Sequence, residues 1–376
     1  MAEPFKLLLN ADVVRRAGRH LQRSWPAFGR ERFERLAVDG LDALELKARA
    51  MHIADALEAT LPPRFADAAA VIEAALGAPL PVDGEAAAPR RDDGLSGWIV
   101  WPLGEVVARR GLDDAPRALQ CLHALTQRSS AEWAIRPFIE RHPKLVFATL
   151  RRWTRDPSAH VRRLVSEGSR PRLPWGMRLK SLIADPSPTL PLLAALHDDA
   201  SDDVRRSVAN HLNDIAKDHP DVVVAWLRQY LPGAPPPRTA LLRHASRSLL
   251  KQGHPDVLAL WGIGQPLRGR VQLHVAPAAI RLSESITIVA TIASTARRAQ
   301  SLQVDYALHH VKANGRLTPK VFKGWRIELG AGESRTLAKR HALRPVTVRR
   351  YHAGRHVVDL VVNGQVLASA AFDLRL

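Results

Sequence analysis

From the N-terminus to about residue 266, apolar side chains recur at i, i+3, i+4 and i+7, as in Leu41, Leu44, Leu46, Ile53 and Leu57, the spacing that lines one face of an α-helix. Short breaks divide these runs, so the pattern predicts many short helices. One break is longer: Pro79 to Gly97 is rich in Pro, Gly and charge and reads as a loop. From Arg268 the period changes to two, in VQLHV, SITIVATI, LQVDYALHHV, KVFKGWRIEL and HVVDLVVNGQVLASAAF. About seven short strands follow, with Asn363-Gly364 as a type I′ hairpin turn.

The helical part repeats itself. DPSAHVRRLVSE (156–167) lies over DASDDVRRSVAN (199–210), matching Asp156 with Asp199, Ser158 with Ser201 and Val161-Arg162-Arg163 with Val204-Arg205-Arg206. The offset of 43 residues falls within the roughly 40 to 47 of HEAT-type helix pairs. A looser copy follows at 241–256, and residues 112–125 resemble an earlier one. The fold expected is therefore an α + β two-domain chain: an all-α HEAT-like repeat solenoid over residues 1–266, then an immunoglobulin-like β-sandwich over 268–376. In such a repeat the Asp or Ser caps the second helix, Val faces the core, and the arginine pair lies outside. Arg162, Arg163, Arg205, Arg206, Arg243 and Arg247 would then recur along one surface.

Charge narrows the partner. The chain carries 55 Lys+Arg against 37 Asp+Glu, a net charge of +18, which favours a polyanion. Residues 268–376 hold 18 Lys+Arg and 6 Asp+Glu, so +12 of that excess lies in less than a third of the chain. Lys320, Lys323, Lys339, Arg340, Arg349, Arg350 and Arg355 fall mostly near predicted turns, within reach of a phosphate backbone; the alternative is a basic surface kept for solubility. No apolar run of about 18 residues is present to span a membrane, and MAEPFKLLLNADVV lacks a basic leader segment. A cytoplasmic, nucleoid-associated bacterial monomer without membrane contact is expected. The single cysteine, Cys121, reads as a buried structural thiol. No metal site or cofactor is expected, since no His/Cys/carboxylate spacing suggests one. His123, His142, His160, His211 and His244 are scattered, and no G-x-S-x-G or phosphate-loop pattern accompanies them.

RLVSEGSRPRLPW (163–175) places Glu167 among Arg163, Arg170 and Arg172, with Trp175 at its end. Glu167 is equivalent to Asn210 in the repeat and would face the same groove. A carboxylate there repels phosphate, so two readings stand. It can pair with Arg163 at i−4 or Arg170 at i+3, or it can stabilise an oxocarbenium ion when an N-glycosidic bond breaks. Glu132 follows Ser129 by three residues, the spacing of a capping box, with Trp133 and Arg136 beside it.

Together LELKARAMHIADALEATLP, SSAEWAIRPFIERHP, HVRRLVSEGSRPRLPW, DDVRRSVANHLNDIAKDHP, LLRHASRSLLKQGHP, KVFKGWRIELGAGE and LAKRHALRPVTVRRYHAGRHVVDLVVNG resemble the AlkC-type DNA alkylation repair glycosylases over most of the chain. The resemblance implies a monofunctional glycosylase of base excision repair. Such an enzyme removes cationic N3-alkylated bases, chiefly 3-methyladenine, from duplex DNA without extruding the nucleotide into a deep pocket. Carried over residue by residue, Glu132 and Glu167 are the implied catalytic carboxylates, and Trp133 and Trp175 face the lesion. Arg136, Arg163, Arg170, Arg172, Arg205 and Arg206 are the implied phosphate ligands, with Asn210 and Asn213 as groove contacts. The rival reading is a non-catalytic DNA-binding or damage-sensing scaffold.

Overall fold

The computed structural model describes residues 5–81, 93–263, 265–345 and 350–376. Most of the expected 79–97 loop, and Arg349, lie outside the described residues. Among those described, the chain is helical to Leu260 and strand-rich from Gly269. The helices are α1 (Ala11–Ser24), α2 (Arg30–Val38), α3 (Leu46–Glu58), α4 (Phe65–Ala74), α5 (Val100–Arg110), α6 (Ala115–Thr126), α7 (Arg136–Arg141) and α8 (Pro143–Trp153). They continue as α9 (Ala159–Gly168), α10 (Lys180–Ala184), α11 (Leu190–Leu196), α12 (Asp202–Ile215), α13 (Pro220–Tyr230), α14 (Pro236–Ala245), α15 (Arg247–Gln252) and α16 (Pro255–Leu260). No helix among the described residues is long and apolar enough to cross a membrane.

One compact unit comprises residues 1–219 and 235–245; the other comprises 220–234 and 246–376, so α13, α15 and α16 group with the strands. In the first unit each helix buries one stripe: Val14, Ala17, Gly18 and Leu21 on α1, and Val204, Val208, Leu212 and Ile215 on α12. Both start on a side-chain cap, Asn10 accepting from Val13 N–H and Ser201 from Val204 N–H. The repeat is visible locally. Asp156 accepts from Ser158 N–H and Asp199 from Ser201 N–H, each at 2.9 Å, and the following helices α9 and α12 pack together. Ser158, however, makes no side-chain cap.

The repeat arginines do not both face outward. Arg162 folds back to the carbonyls of Asp156 and Pro157 and grips Asp199 with two bonds of 2.6 and 2.9 Å. Arg205 likewise donates to the carbonyls of Asp199 and Ala200 and to Asp202. The loop before each helix leaves carbonyls that water would otherwise satisfy, and a guanidinium with five donors covers them. Of the two matched pairs, Arg206 alone stays largely in solvent, beside Asp203 at 3.2 Å.

Among the described residues of the second unit, eight strands form two sheets, ordered β1-β3-β6 and β2-β8-β7-β4-β5. Their ranges are β1 Gly269–Ala276, β2 Ala279–Arg281, β3 Ser285–Ser294, β4 Gln300–Val311, β5 Leu317–Leu329, β6 Ser334–Ala342, β7 Gly354–Val362 and β8 Gln365–Arg375. Alternate residues of facing strands, Ile286 and Ile288 from one sheet with Tyr306, Leu308, Val358 and Phe372 from the other, fill the space between them. Asn363 and Gly364 have φ of 49° and 83°, as a type I′ turn requires, and join β7 to β8 with Val362 opposite Gln365.

That turn is also a packing point. A Cβ on Gly364 would stand 2.7 Å from Gly253 Cα and 3.1 Å from Leu258 Cδ1. Gly315, in another turn at φ 75°, has open space around it. Both substitutions to Ala incur the cost of positive φ, about 1 kcal/mol, but only the first meets fixed backbone. Gly364→Ala is expected to lower unfolding free energy by about 2–4 kcal/mol and Gly315→Ala by about 1 kcal/mol. Urea unfolding of the two variants side by side checks the difference.

Candidate active site

The two carboxylates singled out in the sequence lie in one continuous ionic network. On α9, Arg163 and Glu167 share a face at i and i+4, and Arg170 follows just past the helix end. Helix α12 packs alongside and offers Ser207 and Asp214, seven residues apart on one face. The segment before α7 supplies Ser130 and Glu132. It approaches closely because α9 ends in glycine: a Cβ on Gly168 would stand 2.6 Å from Ile135 Cγ2.

Glu132 accepts through Oε2 from Ser130 Oγ at 2.7 Å and from Arg163 Nη1 at 2.8 Å. The other Arg163 amino group is 3.8 Å from Glu167 Oε1. Glu167 Oε1 accepts from Arg170 Nη1 at 2.6 Å, and its Oε2 accepts from Ser207 Oγ at 2.6 Å. Arg170 also donates through Nε to Asp214 Oδ2 at 2.8 Å, and Lys217 Nζ donates to Asp214 Oδ1 at 2.9 Å. Three carboxylates alternate with three cations. Glu132, Glu167, Arg170 and Asp214 are all buried. Glu132 is no capping-box residue, because α7 begins only at Arg136 and the Glu132 side chain turns to Ser130 and Arg163. For Glu167 the ion-pair reading is realised, with Arg170 at i+3 in direct contact and Arg163 at i−4 farther off.

Burial alone would raise the Glu167 carboxyl, but the Arg163 and Arg170 charges and the Ser207 and Arg170 hydrogen bonds hold it below its ordinary value. Burial also opposes the Arg170 charge, and Glu167 and Asp214 outweigh it. Behind the network, His211 is driven down to about 4 by burial and stays neutral. Its Nδ1 lies 2.9 Å from the Ser166 carbonyl, so that nitrogen carries the proton and donates.

Arg136 does not reach a surface, contrary to the expectation of a phosphate ligand. It is fully buried, donating to the carbonyls of Met177 at 2.7 Å and Gly168 at 2.8 Å. Burial, then the neighbouring Arg170 charge, pulls it down to about 10, which leaves it protonated at neutral pH. Arg172 is bidentate on Asp218 at 2.9 and 2.7 Å. Asn213 is buried, so it makes no groove contact; Asn210 is half-buried with its Oδ1 2.9 Å from His244 Nε2.

An aromatic cluster adjoins the network. Trp101 of α5 and Trp133 stack with centroids 4.0 Å apart and planes at 22°, and Trp175 lies 6.1 Å from Trp101 and 6.4 Å from Trp133. Trp175 is 52% exposed and stands at φ 62°. Beside it opens a cleft of about 430 Å³ lined by Arg172, Pro174, Trp175, Arg178 and Lys217. Ser130, Ser207, Asp214 and Trp101 escaped sequence reasoning. Asp214 could have been found one helical turn beyond Asn210, but nothing in the local pattern marks Trp101.

Known proteins share this fold. A family model described as "DNA alkylation repair enzyme" matches residues 125–249, the stretch that carries the network. Another, "Uncharacterised protein YhaZ, C-terminal Ig-like domain", matches residues 270–376. Over 100% of both chains, the structure is similar to that of the Pseudomonas fluorescens alkylpurine DNA glycosylase AlkC bound to DNA containing an abasic site analog, with 36% identity and a TM-score of 0.89. The chain belongs to the AlkC family of DNA alkylation repair glycosylases. "Uncharacterized protein YhaZ" of Bacillus subtilis (strain 168) is 34% identical over 98% of this chain and 99% of its own length. In this AlkC-family chain the immunoglobulin-like description falls on the two-sheet unit, in keeping with the strand pattern.

The electrostatics of Glu167 set a pH dependence. A carboxyl held below its unfolded value adds stability above that value, and the gain is lost as pH falls through the folded one. Glu167→Gln is expected to cost roughly 3 kcal/mol near pH 7, since it leaves the buried Arg170 and the half-buried Arg163 short of a partner. The wild-type advantage should shrink progressively below about pH 4.5. Denaturant unfolding of both proteins from pH 7 to 3 measures it; a pH-independent difference would contradict the ionised carboxylate.

Proposed function

We propose that the chain is a monofunctional DNA glycosylase that hydrolyses the N-glycosidic bond of cationic N3-alkylated purines, chiefly 3-methyladenine, in duplex DNA. The observation that carries this is the buried pair Glu132 and Glu167, held in register by Arg163 beside an exposed tryptophan. A carboxylate pointing at DNA is repelled by phosphate. It becomes useful where positive charge develops on a sugar.

Alkylation at N3 makes the base a cation and thus a good leaving group, so no strong general acid is required. As the glycosidic bond breaks, its electron pair leaves with the base and neutralises it, while the sugar acquires oxocarbenium character. Water adds to C1′ and releases a proton, leaving an abasic site. This role is assigned to Glu132, supported by its bonding: Oε2 accepts from Ser130 and Arg163, whereas Oε1 makes no hydrogen bond among the described residues. Both oxygens of Glu167 are engaged, so Glu167 fixes Arg163 and supplies negative potential from behind. Excision without deep extrusion of the nucleotide agrees with the Trp101–Trp133 stack, whose facing ring surfaces already cover one another.

The helical part would hold the duplex as a HEAT-like stack. Arg206 of the first unit and Lys320, Lys323, Arg340, Arg350 and Arg355 of the second are exposed and available for phosphate. Lys339 is less so, its Nζ donating to the Lys323 carbonyl 5.8 Å from the Trp325 ring centre. Arg243 and Arg247 are half-buried.

Freed 3-methyladenine, quantified by chromatography after incubation with methylated duplex, tests the activity. Glu132→Gln should reduce single-turnover release about 10²-fold, with the Glu167→Gln loss partly reflecting reduced stability. Tight, salt-sensitive binding with no release would leave the scaffold reading instead. For the second unit, Lys320→Glu/Lys323→Glu/Arg340→Glu should weaken binding. It should also flatten the log K against log salt slope by about 0.9 for each phosphate no longer neutralised; an unchanged slope would remove these residues from the interface.

A further inference from the structure

Between α9 and α10 the chain has no regular structure, yet the carbonyls of Pro174, Trp175 and Met177 in it, and that of Gly168 at the end of α9, are held by side chains from elsewhere. Arg136 donates to Gly168 and Met177, Trp133 Nε1 donates to Pro174 at 3.1 Å, and Lys47 Nζ donates to Trp175 at 2.9 Å. Arg136 and Trp133 lie 32 to 41 positions before the carbonyls they hold. Lys47 comes from α3, 128 positions earlier, and is exposed.

Two consecutive ties have a geometric consequence. The Pro174 carbonyl belongs to the peptide plane before Trp175 and the Trp175 carbonyl to the plane after it. Fixing both planes fixes φ and ψ of the residue between them. Trp175 needs this, because φ 62° lies in the left-handed region that a bulky side chain disfavours. Its ring is half in solvent, near-parallel to Trp101 at 6.1 Å and tilted against Trp133 at 6.4 Å.

We propose that Lys47 is a positioning residue for Trp175: its ammonium, by holding the Trp175 carbonyl, keeps the backbone in the left-handed conformation that presents the indole next to Trp133, one residue from Glu132. The role assigned to Trp175 in base release rests on the glycosylase reading; the Lys47–Trp175 tie itself does not. An exposed lysine near DNA has an ordinary alternative use, a phosphate contact, and that use predicts a different pattern of variants.

The tie is read first without DNA. With 5-fluorotryptophan incorporated, the Trp175 fluorine resonance is assigned by its loss in Trp175→Phe. Lys47→Met, which keeps the stem and removes the donor, should shift or broaden that resonance, and Lys47→Arg should restore it. An unchanged resonance in Lys47→Met overturns the proposal. Base release is then followed in single turnover at saturating enzyme. Lys47→Met should slow it by about three- to tenfold at unchanged duplex affinity, and should cause no further loss in a Trp175→Ala background. A loss confined to affinity that persists in full beside Trp175→Ala would make Lys47 a phosphate ligand and overturn the positioning role. Absence of base release by the wild type would sink the glycosylase reading alone, leaving the fluorine result to judge the tie.

Discussion

A carboxylate cannot be buried as an ion unless cations and hydrogen-bond donors replace the water it loses. Glu167 meets that condition only when three separate segments converge: Arg163 from its own helix, Arg170 from the turn beyond it, and Ser207 from α12. Each partner then fixes something else. Arg163 carries the charge on to Glu132, Arg170 to Asp214, and Asp214 to Lys217. Removing one member leaves neighbours with buried charge, so the network behaves as a unit and specifies how α9, α12 and the segment before α7 meet.

The same arrangement suits chemistry that needs preorganised charge. Glu167 is held ionised by its surroundings, and the side chains about Glu132 are set before any substrate arrives. Under the proposed function the leaving base is a cation, so such chemistry would need only a stabilised sugar and a placed water. A rigid, alternating ionic lattice with one uncommitted carboxylate oxygen provides that without a histidine base. The buried histidine nearest the network, His211, is kept neutral and turned to a backbone carbonyl.

Periodicity is a local property, and what depends on it was readable from the chain alone. The change from period 3.6 to period 2 near residue 268, the Asn363-Gly364 turn and the matched Asp-x-Ser starts of α9 and α12 all appear in the structure. Glu167 was also visible as a carboxylate out of place among arginines, whereas Glu132 was marked only by the family resemblance and otherwise looked like a capping-box residue. Direction was not readable. Arg162, Arg205 and Arg136 looked like phosphate ligands because sequence shows charge but not the carbonyls that a loop leaves unsatisfied. The grouping of α13, α15 and α16 with the strands was equally hidden, since it depends on contacts such as Gly253 against Gly364, distant in sequence.

This redirection of arginines changes what the net charge means. Of the +18, residues 268–376 carry +12, and their Lys320, Lys323, Arg340 and Arg350 are exposed. In the helical part, Arg49, Arg136, Arg162, Arg170 and Arg205 all donate to main-chain carbonyls or carboxylates of the chain itself. A guanidinium so engaged still contributes to the long-range field that attracts a polyanion, but it cannot also form a bidentate contact with phosphate without giving up its partners. Long-range attraction and short-range grip are therefore carried by different residues. In the helical unit Arg49, Arg162 and Arg205 fix loops and Arg170 fixes the network around Glu167, whereas Arg206 and the cations of the strand-rich unit named above stay exposed.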